Sequence, residues 1–256
     1  MVIRRRAGVY ERFCSHRRLA DIVCYRIGFT TQDVTREVAE IRTDELIRRI
    51  VHETEARDYK CFLSGEDNFR YKLYPEYKGN RLDKPKPVHL QAIREHIVRY
   101  QMGRVVSGYE ADDELSIEQR SYGDRSIICS IDKDLLQVPG WHFNFVTGIT
   151  RFISPFEGLR KFYGQLIAGD GADNIPSYDG KVRHQVPKFI ERLIEPLNGM
   201  TEEEEMYEYC KQVYLDSCLG NQEDDYAIKD MHRNAKLLHL LTKEGDVWLP
   251  PGQKQD

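Results

Sequence analysis

The chain has 256 residues, of which 40% are hydrophobic and 31% charged, and its formal net charge is −4. That length suits one compact domain with an appended subdomain, or two small domains. No apolar run is long enough to span a bilayer, the basic start Met1–Arg6 lacks the apolar stretch of a secretory signal, and the net acidic charge argues against a simple basic nucleic-acid module.

The six cysteines are scattered without a CxxC pair, so they read as free thiols in a reducing cytoplasm rather than a disulfide framework or a zinc site. Charge is unevenly placed. Residues 1–18 carry six Arg against one Glu, and residues 70–104 carry nine Lys or Arg against three Asp or Glu. Such a basic stripe beside an acidic remainder could bind a polyanion on one face and metal on another; it could equally be solvated surface.

In chain order, residues 34–55 place Val34, Val38, Ile41, Leu46, Ile47 and Ile50 at helical spacing. Residues 59–65 form a short apolar strand closed by Gly65. Leu90, Ile93, Ile97, Val98 and Tyr100 mark a second amphipathic helix, followed by a strand at 103–108 and a helix opening at Glu110. Residues 126–131 are the clearest buried strand, and 142–148 with 151–154 read as a hairpin. Helices dominate from Phe156 onward, and Thr201 with Glu204 forms a helix-start capping box. Strands alternating with helices predict a doubly wound, mainly parallel sheet over residues 1–156, with a helical subdomain over 157–256.

The carboxylates carry the chemistry. Glu110-Ala111-Asp112-Asp113 and Asp132-Lys133-Asp134 each follow a predicted strand, where ligands of open parallel sheets bind. Asp170 and Asp173 lie in the Gly-rich turn after a predicted helix, and Asp21 starts the apolar segment 22–25. Gathered in one pocket, these groups would repel one another unless cations neutralised them. Hard oxygen ligands favour Mg²⁺ or Mn²⁺ over zinc, and two such ions serve phosphodiester hydrolysis. Taken singly, an Asp pair at a helix start is more often a cap or a partner of the helix dipole.

Four ordered motifs add a resemblance. Tyr77-Lys78-Gly79-Asn80-Arg81, Tyr109-Glu110-Ala111-Asp112-Asp113, residues 130–137 (Ser-Ile-Asp-Lys-Asp-Leu-Leu-Gln) and residues 169–176 (Gly-Asp-Gly-Ala-Asp-Asn-Ile-Pro) resemble the signatures of the 5′–3′ exonuclease and flap endonuclease family. The likeness covers residues 60–180, and the length resembles a stand-alone phage-type enzyme acting in replication or recombination. It implies a PIN-like α/β fold with a short arch near 77–104 and a helix–turn–helix subdomain. It further implies one ion on Glu110, Asp112, Asp113 and Asp132, and a second on Asp134, Asp170 and Asp173. Lys78 and Arg81 would act catalytically on the scissile phosphate. Arg70, Tyr77, Lys84, Lys86, Lys181, Arg183 and Lys188 would bind DNA at 5′ ends, flaps or single-strand/duplex junctions. The family's hairpin after Pro176 often holds a monovalent cation; here only Gly180 is present where several glycines are usual.

One departure stands out. Tyr25-Arg26 matches the family's first motif, which puts Leu19 where a metal-binding Asp belongs, with Asp21 two residues later. The preceding residues, Cys14-Ser15-His16-Arg17-Arg18, are poor in the apolar side chains of a central strand. Either Asp21 substitutes after a local shift, or residues 1–18 are not the ancestral start and the centre is impaired. The second case describes a structure-specific DNA-binding protein. A ribonuclease is a third reading.

Overall fold

The computed structural model describes residues 2–5, 11–16, 27, 31, 33–81, 84–218 and 224–253, with the backbone alone for 2–5, 11–16 and 224. Leu19, Asp21, Tyr25 and Arg26 lie outside these residues, so the first motif is not described. Among the described residues no helix is long and apolar enough to cross a membrane.

Seven strands form one sheet: β1 (Val2–Arg5), β2 (Glu11–His16), β3 (Tyr59–Ser64), β4 (Gly103–Val106), β5 (Ser126–Cys129), β6 (Gly140–Asn144) and β7 (Ile149–Ile153). Their order is β4-β3-β2-β1-β5-β6-β7, with a further pairing of β2 to β5. Strands β2 to β6 run parallel, while β1 and β7 are antiparallel additions. The expected hairpin is β6–β7, and the buried strand at 126 ends at Cys129, two residues earlier than expected. Strand β2 corrects the sequence reading. Despite its polar composition, Glu11–His16 sits centrally, pairing Cys14, Ser15 and His16 with Tyr59, Lys60 and Cys61. Ladder hydrogen bonds come from the backbone and are indifferent to side-chain polarity.

Alternating side chains of β3 and β5 divide between two cores, as a sheet buried on both faces requires. Cys61, Leu63, Ile127 and Cys129 join Ala39, Ile47, Ile50, Ile93 and Ile97, so helices Arg36–Glu53 and Leu90–Tyr100 cover that face. Phe62 and Ile128 meet Leu115, Leu135, Val138 and Leu240, so helix Ala111–Tyr122 covers the other. On Arg36–Glu53 the buried stripe is Ala39, Thr43, Ile47 and Ile50, whereas Ile41 is exposed. Thr43 tolerates burial because its hydroxyl donates to the Ala39 carbonyl at 2.9 Å.

The chain divides into two compact units. The first comprises residues 1–68, 85–155 and 240–244; the second comprises 69–84, 156–239 and 245–256. The break near 155 falls where composition turns helical, but residues 69–84 go with the helical unit and 240–244 return to the sheet unit. In the second unit, Asn234 donates to the Tyr214 hydroxyl at 3.2 Å and Tyr214 donates to the Leu166 carbonyl at 2.8 Å. This relay ties helices Asp224–Leu238, Glu203–Ser217 and Pro155–Ala168 together around a buried aromatic-rich core. The capping box expected at Thr201 does not form: Glu202 is the N-cap, without a side-chain cap bond.

Cys61, Cys210 and Cys218 are free, but Cys129 is disulfide-bonded to a partner outside the described side chains, so the all-thiol reading fails there. Sequence spacing carries no record of which thiols folding brings together.

Candidate functional site

In the first unit, strand order reverses between β2 and β5, which makes the carboxyl ends of the neighbouring strands the expected binding edge. The loop after β4 ends at Glu110, and the first turn of the following helix carries Asp112 and Asp113. Helix Ala111–Tyr122 starts here with a reciprocal capping box: the Asp113 amide donates to the Glu110 side chain, and the Glu110 amide donates to Asp113 Oδ2 at 2.9 Å. Asp112 and Asp113 are both buried. Asp113 Oδ1 also accepts the Leu241 amide at 3.2 Å, across 128 positions of sequence. Two backbone donors thus fix one carboxylate. Beside it, buried Glu114 accepts from the Tyr109 hydroxyl at 2.6 Å and pairs with Arg104 at 3.3 Å.

The loop after β5 carries Asp132 and Asp134, both half-buried. The Asp132 amide donates to Ser130 Oγ at 3.0 Å, and Asp132 Oδ1 accepts the Asp134 amide at 2.7 Å. These bonds turn the chain sharply from the strand into the short helix Asp134–Gln137.

In the second unit, Gly169 ends helix Pro155–Ala168 with φ of 71°. A Cβ there would lie 2.6 Å from the Ile175 carbonyl oxygen, so only glycine lets the chain fold back. The turn closes through an Asp170–Ile175 bridge, and Asp170 Oδ1 accepts the Ala172 amide at 2.8 Å. Asp173 is buried, and three donors reach its carboxylate. Tyr77 donates to Oδ2 at 2.9 Å, Lys78 Nζ lies 3.4 Å from the same oxygen, and the Arg81 guanidinium pairs with Oδ1. Arg81 Nε also donates to the Ala172 carbonyl at 2.9 Å, and Asn80 donates to the Gly171 carbonyl at 2.7 Å. The Tyr77–Arg81 motif therefore embraces the Asp170–Asp173 turn, and both expected catalytic cations are engaged with Asp173.

Three of the expected DNA contacts are engaged within the protein. Arg70 is buried, and its guanidinium donates to the carbonyls of Leu237 and His239, each at 2.7 Å, where it caps a helix end. Tyr77 is buried, so it offers no open stacking face. Arg183 clasps Asp179 with two bonds of 2.6 Å, and this guanidinium lowers the Asp179 carboxyl to about 2. Lys84, Lys86, Lys181 and Lys188 are exposed, as a phosphate contact requires.

Among the described residues, no three His, Cys, Asp or Glu side chains are arranged to hold a metal ion. Sequence reasoning missed the Leu241 amide and the role of the Tyr77 hydroxyl. Neither leaves a signal in the sequence, because one is a backbone group and both contacts span about a hundred residues or more.

A parallel core with acidic groups at the carboxyl ends of β4 and β5 defines a PIN-type, resolvase-like α/β domain. A family model described as the 5′-3′ exonuclease N-terminal resolvase-like domain matches residues 25–156. This is more than half of the chain, and the protein belongs to that family. A 5′-3′ exonuclease of Buchnera aphidicola is 31% identical over 130 residues, covering 45% of this chain and 46% of its own length. DNA polymerase I of Pseudomonas aeruginosa is 32% identical over 127 residues, covering 44% of this chain and 14% of its own. The chain thus spans less than half the length of these curated relatives. A T5 5′-exonuclease structure shares the fold with a TM-score of 0.54 at 18% identity, covering 87% of this chain and 98% of that one.

Proposed function

We propose that this protein hydrolyses phosphodiester bonds at 5′ ends or 5′ flaps of DNA with divalent cations, in replication or recombination of the phage type. The carrying observation is the set Glu110, Asp112, Asp113, Asp132 and Asp134, presented after β4 and β5 in a chain of the 5′–3′ exonuclease family. Every candidate ligand is a hard carboxylate oxygen, the donor type that suits Mg²⁺ or Mn²⁺. A T5 5′-exonuclease structure described as holding divalent zinc supports a divalent-ion reading.

Glu110, Asp112, Asp113, Asp132 and Asp134 in the first unit, and Asp170 and Asp173 in the second, are the candidate ligands, although no three of them are gathered to hold an ion among the described residues. A bound divalent ion supplies neutralisation of charge developing on the phosphoryl oxygens. The chain's own part is positioning and charge. Backbone amides fix the Asp113 and Asp132 carboxylates, Lys78 and Arg81 offer an ammonium and a guanidinium to phosphate, and exposed Lys84, Lys86, Lys181 and Lys188 attract the DNA backbone.

The test is cleavage of a labelled 5′-flap duplex with Mg²⁺ and then with EDTA, with an RNA 5′ end run in parallel. Mg²⁺-dependent release of short 5′ products is expected, reduced at least ~100-fold by Asp113→Asn. Leu19 favours a second reading, because it stands where the family resemblance places a metal-binding Asp. Tight flap binding without cleavage, converted to cleavage by Leu19→Asp, would establish a DNA-binding protein with an impaired centre.

A further inference from the structure

We propose that the Arg183 guanidinium is a built-in cation of the hairpin at residues 177–183, so that this hairpin receives DNA phosphate without a bound monovalent ion. This rests on the DNA-binding reading above and departs from the family resemblance, in which the hairpin often holds such an ion. The residues here do not fit one, because the guanidinium already engages their oxygens. Arg183 Nη1 donates to Asp179 Oδ1 and Nη2 to Oδ2, each at 2.6 Å, and Nη1 also donates to Ser177 Oγ. The Lys181 carbonyl accepts the Ser177 amide at 2.9 Å and the Ser177 hydroxyl at 2.7 Å. An ion entering this set would stand within a few ångströms of the guanidinium, and like charges at that range repel strongly away from bulk water.

The pair is sheltered and well made. The Arg183 and Asp179 side chains are 17% and 19% exposed, their contact is two-pronged, and the guanidinium lies 5.7 Å from the centre of the Phe189 ring. The hairpin is also anchored. The Tyr178 amide donates to the Ile167 carbonyl at 3.0 Å, and Ser217 Oγ donates to the Tyr178 carbonyl at 3.1 Å. A Cβ on Gly171 would lie 2.2 Å from the Arg183 carbonyl oxygen, so the hairpin backbone abuts the acidic turn directly. Without Arg183, the Asp179 carboxylate would stand beside exposed Lys181, whose Nζ is 3.8 Å away, and repel the phosphate that this lysine attracts. Arg183 is thus a positioning residue: it neutralises Asp179 and holds the turn, while the Lys181 and Lys188 side chains meet the DNA backbone.

The experiment is binding of the full chain to a labelled 5′-flap duplex in EDTA, followed by fluorescence anisotropy. Ionic strength is held constant with KCl, NaCl or tetramethylammonium chloride, and thermal unfolding without DNA is recorded in the same salts. The natural chain should bind alike in all three, within about twofold. Arg183→Ala should lose about tenfold in tetramethylammonium, which is too bulky to replace the guanidinium, and regain most of it in KCl or NaCl. Its melting temperature should rise in those two salts by more than that of the natural chain does, since a small cation then binds the vacated oxygens. Arg183→Lys, which keeps a cation, should bind alike in all three. Natural-chain affinity that depends on K⁺ or Na⁺ overturns the proposal and leaves the DNA reading standing, and it is read whether or not Arg183→Ala folds. An affinity loss in Arg183→Ala that is equal in the three salts, or no loss at all, also overturns it. Absence of flap binding by the natural chain in every salt would end both.

Discussion

A buried guanidinium is tolerated only when its donors are satisfied, and Arg70 meets that condition by bonding two carbonyls at the end of helix Asp224–Leu238. Arg70→Met keeps most of the volume but leaves both carbonyls without that donor. Urea unfolding should show a loss of roughly 2–4 kcal/mol, with flap affinity of the folded protein unchanged. A matching loss of affinity without loss of stability would instead make Arg70 a DNA contact. The Asp179–Arg183 pair gives a pH signature. Its carboxyl is held at about 2 by the guanidinium, so the pair's contribution is present above the ordinary carboxyl range and is lost as pH falls towards 2. In Arg183→Met the stability curve between pH 4 and 2 should flatten.

Strand β6 buries His142, whose Nε2 lies 2.8 Å from the Val138 carbonyl. Burial lowers this imidazole from 6.5 to about 4, so below pH 6.5 the unfolded chain takes up a proton that the folded chain refuses. Stability attributable to His142 is complete above pH 6.5 and declines as pH falls to 4, by about 3 kcal/mol at most. His142→Gln should remove most of that slope in chemical denaturation at pH 7 and 4.5. The turn after helix Pro155–Ala168 depends on Gly169. Gly169→Ala places a Cβ against backbone at 2.6 Å in a positive-φ conformation, so stability should drop by roughly 1–3 kcal/mol and Asp170 should be displaced. A melting temperature equal to that of the natural chain would contradict this.

On the scale of the whole chain, several cations of the basic stripe over residues 70–104 are engaged within their own units. Arg70 is internal, Arg81 pairs with Asp173, Arg94 donates to the Ser64 carbonyl and Arg104 pairs with Glu114. Counting charges along the sequence does not show which of them have partners inside the fold. The chain's return to the first unit at residues 240–244 has the opposite character. Leu240 packs against Phe62 and Ile128, and the Leu241 amide holds Asp113. Leu241→Pro removes that donor, and the prediction is a loss of flap cleavage of at least ~10-fold, with weaker Mg²⁺ dependence. Full activity in that variant would show that the Glu110 amide suffices.

The sequence by itself determined the alternation of strands and helices, the fold class, the acidic motifs and the family. Periodicity and turn chemistry are local, and short motifs survive as contiguous residues. It erred or fell silent where the deciding contact was distant or made by backbone. A polar segment became the central strand β2 through its ladder bonds, Cys129 entered a disulfide, Arg70, Tyr77 and Arg183 turned inward, and a C-terminal amide came to fix Asp113. Only tertiary structure decides these, because whether a charge faces water or a partner depends on which remote group folding brings within about 3 Å of it.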